Sequence, residues 1–209
     1  MRPWIALFLT AGAVALAVRH AVGHRHPILI PLLLVPALVL GWFEWQFRVD
    51  QSLFSAVGTR IAERDVTIEC QRLGGALLDV TAELGYVQFD ADGRPSDVGR
   101  LEITACEALR DYVHGDQATP SLDEVIAVQV LTHESYHLSG IANEAETECA
   151  ALQRLDEVAG WLGATPEQAR ALAERYWVEV VPRMPEGYRS RDCVDGGRLD
   201  AAPTDPVWP

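Results

Sequence analysis

The chain of 209 residues is long enough for one domain plus an attached segment. Its 17 cations, all arginine, stand against 30 Asp and Glu, a net charge of −13. A chain that acidic repels phosphate backbones and excludes nucleic acid as a partner. Its 49% hydrophobic content is enough to bury a core and excludes disorder as the main state.

Two uncharged apolar runs open the chain, Pro3–Val18 and Pro27–Phe43. Each is near the lower length limit for a spanning helix. Trp4, Trp42 and Trp45 sit at their outer ends, where indole rings favour a membrane interface. The pattern predicts a membrane anchor over residues 1–49, an N-terminal transmembrane helical hairpin with the membrane as its partner. Arg19 and Arg25 in the short loop place that loop in the cytoplasm and the rest of the chain outside. A rival reading is a cleaved signal peptide ending near Ala15-Leu16-Ala17. His20, His24 and His26 in the loop read as interfacial polar residues rather than a metal site.

Residues 50–209 are read as the domain that carries function. Gln51–Arg64 has helical spacing, and Val66–Glu69 alternates like a short strand. Ala76–Leu84 predicts a helix and Gly85–Asp90 a strand. Ala91-Asp92-Gly93-Arg94-Pro95 is a turn cluster. Ile103–Val113 predicts another helix. Ser121-Leu-Asp-Glu124 is a capping box, opening a helix that should stop at Gly140. Asn143-Glu-Ala-Glu146 starts the next helix, expected to run to about Ala159. Thr165-Pro166-Glu-Gln168 opens one more, ending before Pro182. The tail from Arg183 reads as loop. The fold class is therefore mainly α, with a minor sheet.

Cys70, Cys106, Cys149 and Cys193 form no C-x-x-C pair and resemble no zinc finger. Four widely spaced cysteines fit two disulfides in an oxidising compartment; four separate buried thiols are the plainer alternative. Three connectivities are open, and Cys70–Cys106 with Cys149–Cys193 is the first choice among them. Disulfides and loop charge agree on an extracytoplasmic domain at a bacterial cell membrane.

The informative segment is His133-Glu134-Ser135-Tyr136-His137, an H-E-x-x-H inside the capped helix. Residues i and i+4 share a helix face, so both imidazoles can meet one ion. The intervening glutamate can reach a water on that ion, the zinc arrangement in which Glu134 is the general base. A third protein ligand must come from Asn143, Glu144, Glu146 or Glu148. Glu144 and Glu148 lie four residues apart on one helix face. One can ligate while the other hydrogen-bonds a ligand histidine. Glu146 is occupied by its cap.

Together, HESYH and Asn143-Glu144-Ala-Glu-Thr147-Glu148 resemble the two motifs of the gluzincin metallopeptidases. The resemblance covers about 16 residues and implies a zincin-like helical domain that hydrolyses peptide bonds. It implies that His133, His137 and Glu144 ligate Zn2+, with Glu148 supporting a ligand histidine. Glu148 stands where that family has Asp, and the gap from His137 to Glu144 is short. The spacing H-E-x-x-H-x-x-G-x-x-Asn143 is also similar to the metzincin pattern. It would make the third ligand Asn143, a neutral amide and a poor one.

The expectation is a membrane-anchored zinc peptidase acting on a peptide or protein substrate. The alternative is a non-catalytic module whose metal braces two helices or binds a partner; Glu134, which a structural site does not need, favours the enzyme. For a developing oxyanion, Tyr136, Tyr176, Tyr188 and His114 are available. Tyr188 is a candidate, although a tyrosine packed beneath its loop is the plainer account.

Overall fold

A computed structural model describes residues 12–17, 19, 29–71 and 84–201. The chain divides into two compact units at Asp50/Gln51. Helix α1 (Leu29–Ala62) is continuous through that boundary, with Pro36 inside it. The expected transmembrane hairpin is corrected here. Among the described residues, no helix is long and apolar enough to cross a membrane. The apolar run ending at Phe43 is not a separate span: the same helix carries on through Glu44, Arg48 and Asp50, the first two of which form an ion pair at 3.0 Å. The run Pro3–Val18 and the loop after it fall mostly outside the described residues.

In the second unit, strands β1 (Thr67–Cys70), β2 (Gly85–Phe89) and β3 (Pro95–Leu101) form one sheet in the order β1-β3-β2. β1 runs parallel to β3, with Ile68 opposite Gly99, and β2 runs antiparallel to β3, with Val87 opposite Gly99. The central strand was not foreseen. Its sequence, Pro-Ser-Asp-Val-Gly-Arg-Leu, is poor in strand formers. Pro95 is tolerated as the first residue. Gly99 sits in a crowded place, since a Cβ there would lie 3.1 Å from Ile68 Cδ1 and 3.2 Å from Leu138 Cδ1.

The outer edge of β1 is covered by the C-terminal part of α1. Ile68 N–H donates to Ser55 Oγ at 3.0 Å and Val66 N–H to Thr59 Oγ1 at 3.2 Å. Two hydroxyls one helical turn apart thus match two alternate strand amides and close an edge that would otherwise invite another strand. Phe54 and Val57 of the same helix are buried.

Helices α2 (Ile103–His114), α3 (Leu122–Leu138), α4 (Glu144–Leu152), α5 (Leu155–Trp161) and α6 (Pro166–Glu179) follow, then short 3-10 turns at Val181–Arg183 and Glu186–Tyr188. Both halves of the capping box of α3 form: Glu124 N–H donates to Ser121 Oγ at 3.2 Å and Ser121 N–H to Glu124 Oε2 at 2.8 Å. The segment expected as one helix over 143–159 is two, broken at Gln153-Arg154, where Arg154 leaves helical geometry at φ −119°. The helix expected over 76–84 lies almost entirely outside the described residues.

α3 is the central element, packed against β2, β3 and α2, α4, α5 and α6. Val125, Ala127, Gln129, Leu131, His133 and His137 are all buried, so burial extends around the helix rather than along one stripe. Its C-terminus is held by Arg64, whose guanidinium donates to Leu138 O at 2.9 and 3.2 Å and to Ser96 O at 2.9 Å, and pairs with Asp97. A cation on the last carbonyls of a helix satisfies them and complements the dipole.

Two disulfides, Cys70–Cys106 and Cys149–Cys193, tie β1 to α2 and α4 to the tail. They point to an oxidising environment. Ring sizes set by separations of 36 and 44 residues predict a loss of roughly 4 kcal/mol on removing either bridge. The paired variant Cys70→Ser/Cys106→Ser should show that loss in urea denaturation, and thiol labelling of the unreduced, unfolded parent should find no free cysteine.

Candidate metal centre

His133 and His137 lie one turn apart on α3, their rings edge to face with centroids 4.6 Å apart. Glu144 is the first residue of α4, which the chain reaches by a short connection after Gly140, at φ +110°. Asn143 caps that helix, its side chain accepting from Glu146 N–H at 3.0 Å. The amide weighed as a ligand is therefore used by the backbone. Glu146 turns to the tail, its carboxylate 3.4 Å from Arg198.

Glu144 Oε2 lies 3.0 Å from His133 Nε2 and 3.3 Å from His137 Nε2. One ligand atom from each of these three residues falls within 4.8 Å of the others, a group that could hold a metal ion. The far side of each imidazole is committed. His133 Nδ1 is 2.9 Å from Glu148 Oε2, and His137 Nδ1 is 2.7 Å from the carbonyl of Ile141. A carboxylate and a carbonyl only accept, so both Nδ1 atoms carry a proton, and in the neutral rings the Nε2 atoms are the ones that present lone pairs. Two lone pairs and a carboxylate oxygen facing one another repel unless a cation or a proton lies among them. The donor set fits a metal ion on chemical grounds, with the orienting contacts that metal-ligating histidines need.

Glu148 is the hub of these contacts. Besides His133, it accepts from Tyr176 Oη at 2.8 Å and Gln129 Nε2 at 3.0 Å, both on Oε1. All four residues are buried. Burial first, then the charge of Glu148, raises the Tyr176 pKa, so this phenol stays a donor. Tyr176, considered from sequence as an oxyanion donor, is thus engaged in orienting Glu148. Thr147 adds a hydroxyl that donates to Ile141 O at 3.1 Å and lies 3.4 Å from His137 Nδ1.

Glu134 is buried beside His133, at the start of β2. A Cβ on Gly85 would come within 2.8 Å of Glu134 Cγ and Oε1, so only glycine lets the strand pass this close. Four residues on, Phe89 meets His137 edge to face at 6.0 Å. β2 therefore runs along α3 over the motif. On the other side Tyr188 stands with its ring 5.8 Å from that of His133. A cavity of about 340 Å³ opens between them, bordered by His133, Glu134, Glu148 and Tyr188. His114 and Tyr136 do not border it; Tyr136 is engaged with Arg154.

Sequence reading missed Gly85, Gln129 and the orienting role of Tyr176. The signal for Gln129 was present: it precedes His133 by four residues and shares its helix face. Nothing local to Tyr176 ties it to Glu148, 28 positions away, and nothing local to Gly85 ties it to Glu134.

Comparison with protein-family models, with curated proteins and with solved structures finds no match for this chain.

Burial is the strongest influence on His133 and opposes its charge. Hydrogen bonds to Glu144 and Glu148 and the charges of Glu148 and Glu134 outweigh it, raising the pKa to about 9. Burial, then the neighbouring His133, lowers that of His137. The hydrogen bond from His133 holds Glu144 below the usual carboxylate range. With its pKa raised, His133 of the metal-free protein is protonated at neutral pH and must lose that proton to ligate. Titration with a divalent metal ion should therefore release about one proton per ion bound. Calorimetry in buffers of differing ionisation enthalpy measures this, and His133→Ala should abolish both the uptake and the release.

Proposed function

We propose that the protein is a zinc-dependent peptidase, with His133, His137 and Glu144 as ligands and Glu134 as general base. The observation that carries this reading is the convergence of three acceptor atoms whose partners fix both histidines as Nε2 ligands, with a buried carboxylate beside them facing an open cavity. Zinc suits two imidazoles and one carboxylate and leaves a position open for chemistry. When bound, it supplies a Lewis acid that polarises a carbonyl and acidifies water.

The chain's own residues carry the proton. Glu134 accepts it from the attacking water as the C–O bond forms. It returns that proton to the amine nitrogen as the C–N bond breaks, ending as the carboxylate it began as. Glu148 keeps His133 in the ligand tautomer and at the ligand angle, itself held by Gln129 and Tyr176. Tyr188, at the cavity rim, is the hydroxyl we assign to the developing oxyanion.

A broad peptide library incubated with the zinc-loaded protein provides the substrate for the test. Glu134→Gln keeps the size of the side chain but cannot take the proton. Its cleavage rate should fall by roughly 10²–10⁴, with zinc content and melting temperature unchanged. An unchanged rate would instead favour a metal that only braces α3 against α4.

Tyr188→Phe removes one hydroxyl and nothing else. It should lower kcat by roughly 10²-fold and leave KM near that of the parent. A rise in KM alone would assign Tyr188 to substrate binding.

A further inference from the structure

The cavity beside Glu134 has two kinds of lining. Its walls are apolar: Leu84, Ile126, Val130, Val180, Met184 and Pro185. Polar groups lie together where Gln129, Glu148 and Tyr176 border it. Gln129 is 1% exposed. Its amide orientation is settled by chemistry, because Glu148 Oε1 can only accept and so faces Nε2. The carbonyl oxygen Oε1 is consequently left over. It is buried, and among the described residues it meets no hydrogen-bond donor. A buried orphan acceptor is costly, and such groups mark places where a partner arrives from outside the chain.

We propose that this cavity receives the substrate side chain next to the scissile bond, and that it selects an aromatic ring carrying one neutral hydrogen-bond donor at its tip, a tyrosine. The proposal rests on the peptidase reading above and names the substrate class for that site.

The apolar walls favour a large apolar body, and about 340 Å³ accommodates an aromatic ring. The single unpartnered acceptor of Gln129 favours a single donor. An ammonium is disfavoured. It would bring a charge and three donors to a place where Glu148 Oε1 already accepts twice and Oε2 already faces His133. Phenylalanine fits the walls but leaves the Gln129 carbonyl without its partner. A site built to hydrogen-bond a hydroxyl discriminates against the analogue that lacks it.

The test uses hydroxamates, which hold the metal whether or not any peptide is cleaved. Acetohydroxamate, which has no side chain, reports the metal alone. Calorimetry on the zinc-loaded protein should find L-tyrosine hydroxamate bound about tenfold more tightly than L-phenylalanine hydroxamate, the fold-change of one net hydrogen bond. L-lysine hydroxamate should bind more weakly than either. Gln129→Leu should erase the tyrosine advantage. Should that variant fail to hold zinc, Val130→Phe gives a second arm. It fills the cavity from its wall and should weaken the tyrosine compound while acetohydroxamate binds as before.

Equal binding of the tyrosine and phenylalanine compounds overturns the proposal and leaves the metal reading intact. So does a tyrosine advantage that survives both variants. If acetohydroxamate itself does not bind, or the protein takes up no zinc, the peptidase reading falls and this proposal falls with it.

Discussion

The site depends on a single buried carboxylate. Glu148 collects hydrogen bonds from α3 (His133 and Gln129) and from α6 (Tyr176), while itself belonging to α4. Three helices are thereby fixed around one anion, with each donor meeting an acceptor and no charge stranded. Breaking one member leaves the others buried without partners, which costs more than any one bond contributes when intact. The polar interior of α3 is tolerable because most of its polar atoms find partners, the carbonyl of Gln129 excepted: Gln129, Thr132, His133, Glu134, Ser135 and His137 are all buried in a helix that otherwise packs as core.

How α3 can be polar and central together follows from its neighbours. Thr132 and Ser135 return their hydroxyls to the carbonyls of Val128 and Leu131, at 2.8 and 2.6 Å, and so need nothing from outside the helix. The histidines face α4, and Glu134 faces the glycine that opens β2. Leu131 and Leu138 fill the remaining directions. The sheet packs on α3 through β2 and β3. It sets the distance between β2 and the motif, and the crowding at Gly85 and at Gly99 shows how closely that distance is held.

What was legible in the sequence was what is local in the chain. The caps at Ser121, Asn143 and Thr165 form at the residues that announce them, because a cap needs only neighbours two or three positions away. The grouping of His133, His137 and Glu144 follows from helix periodicity and one short connection. β3 escaped because burial between two strands, and not strand propensity, makes it a strand. The break at Gln153-Arg154 has no glycine or proline to mark it. The apolar stretch ending at Phe43 looked like a separate span because a window of composition does not show that the helix runs on through charged residues. Tyr176 and Arg64 act across long stretches of chain, Arg64 reaching Leu138 across 74 positions, and no local pattern marks such a partner.

The two disulfides join the first cysteine to the second and the third to the fourth. The rings are therefore separate along the chain, neither enclosing nor crossing the other. A polypeptide delivered N-terminus first can close Cys70 to Cys106 before Cys149 has emerged, and the second pair then has only itself to choose. Of the three possible pairings, the native one is the one that order of arrival produces, whereas nested or interleaved bridges would have to be broken and remade by thiolate attack. Oxidative maturation of this protein can thus proceed with an oxidant alone, without an isomerase to correct it, and the bridge on the helix that bears Glu144 and Glu148 is the second to close.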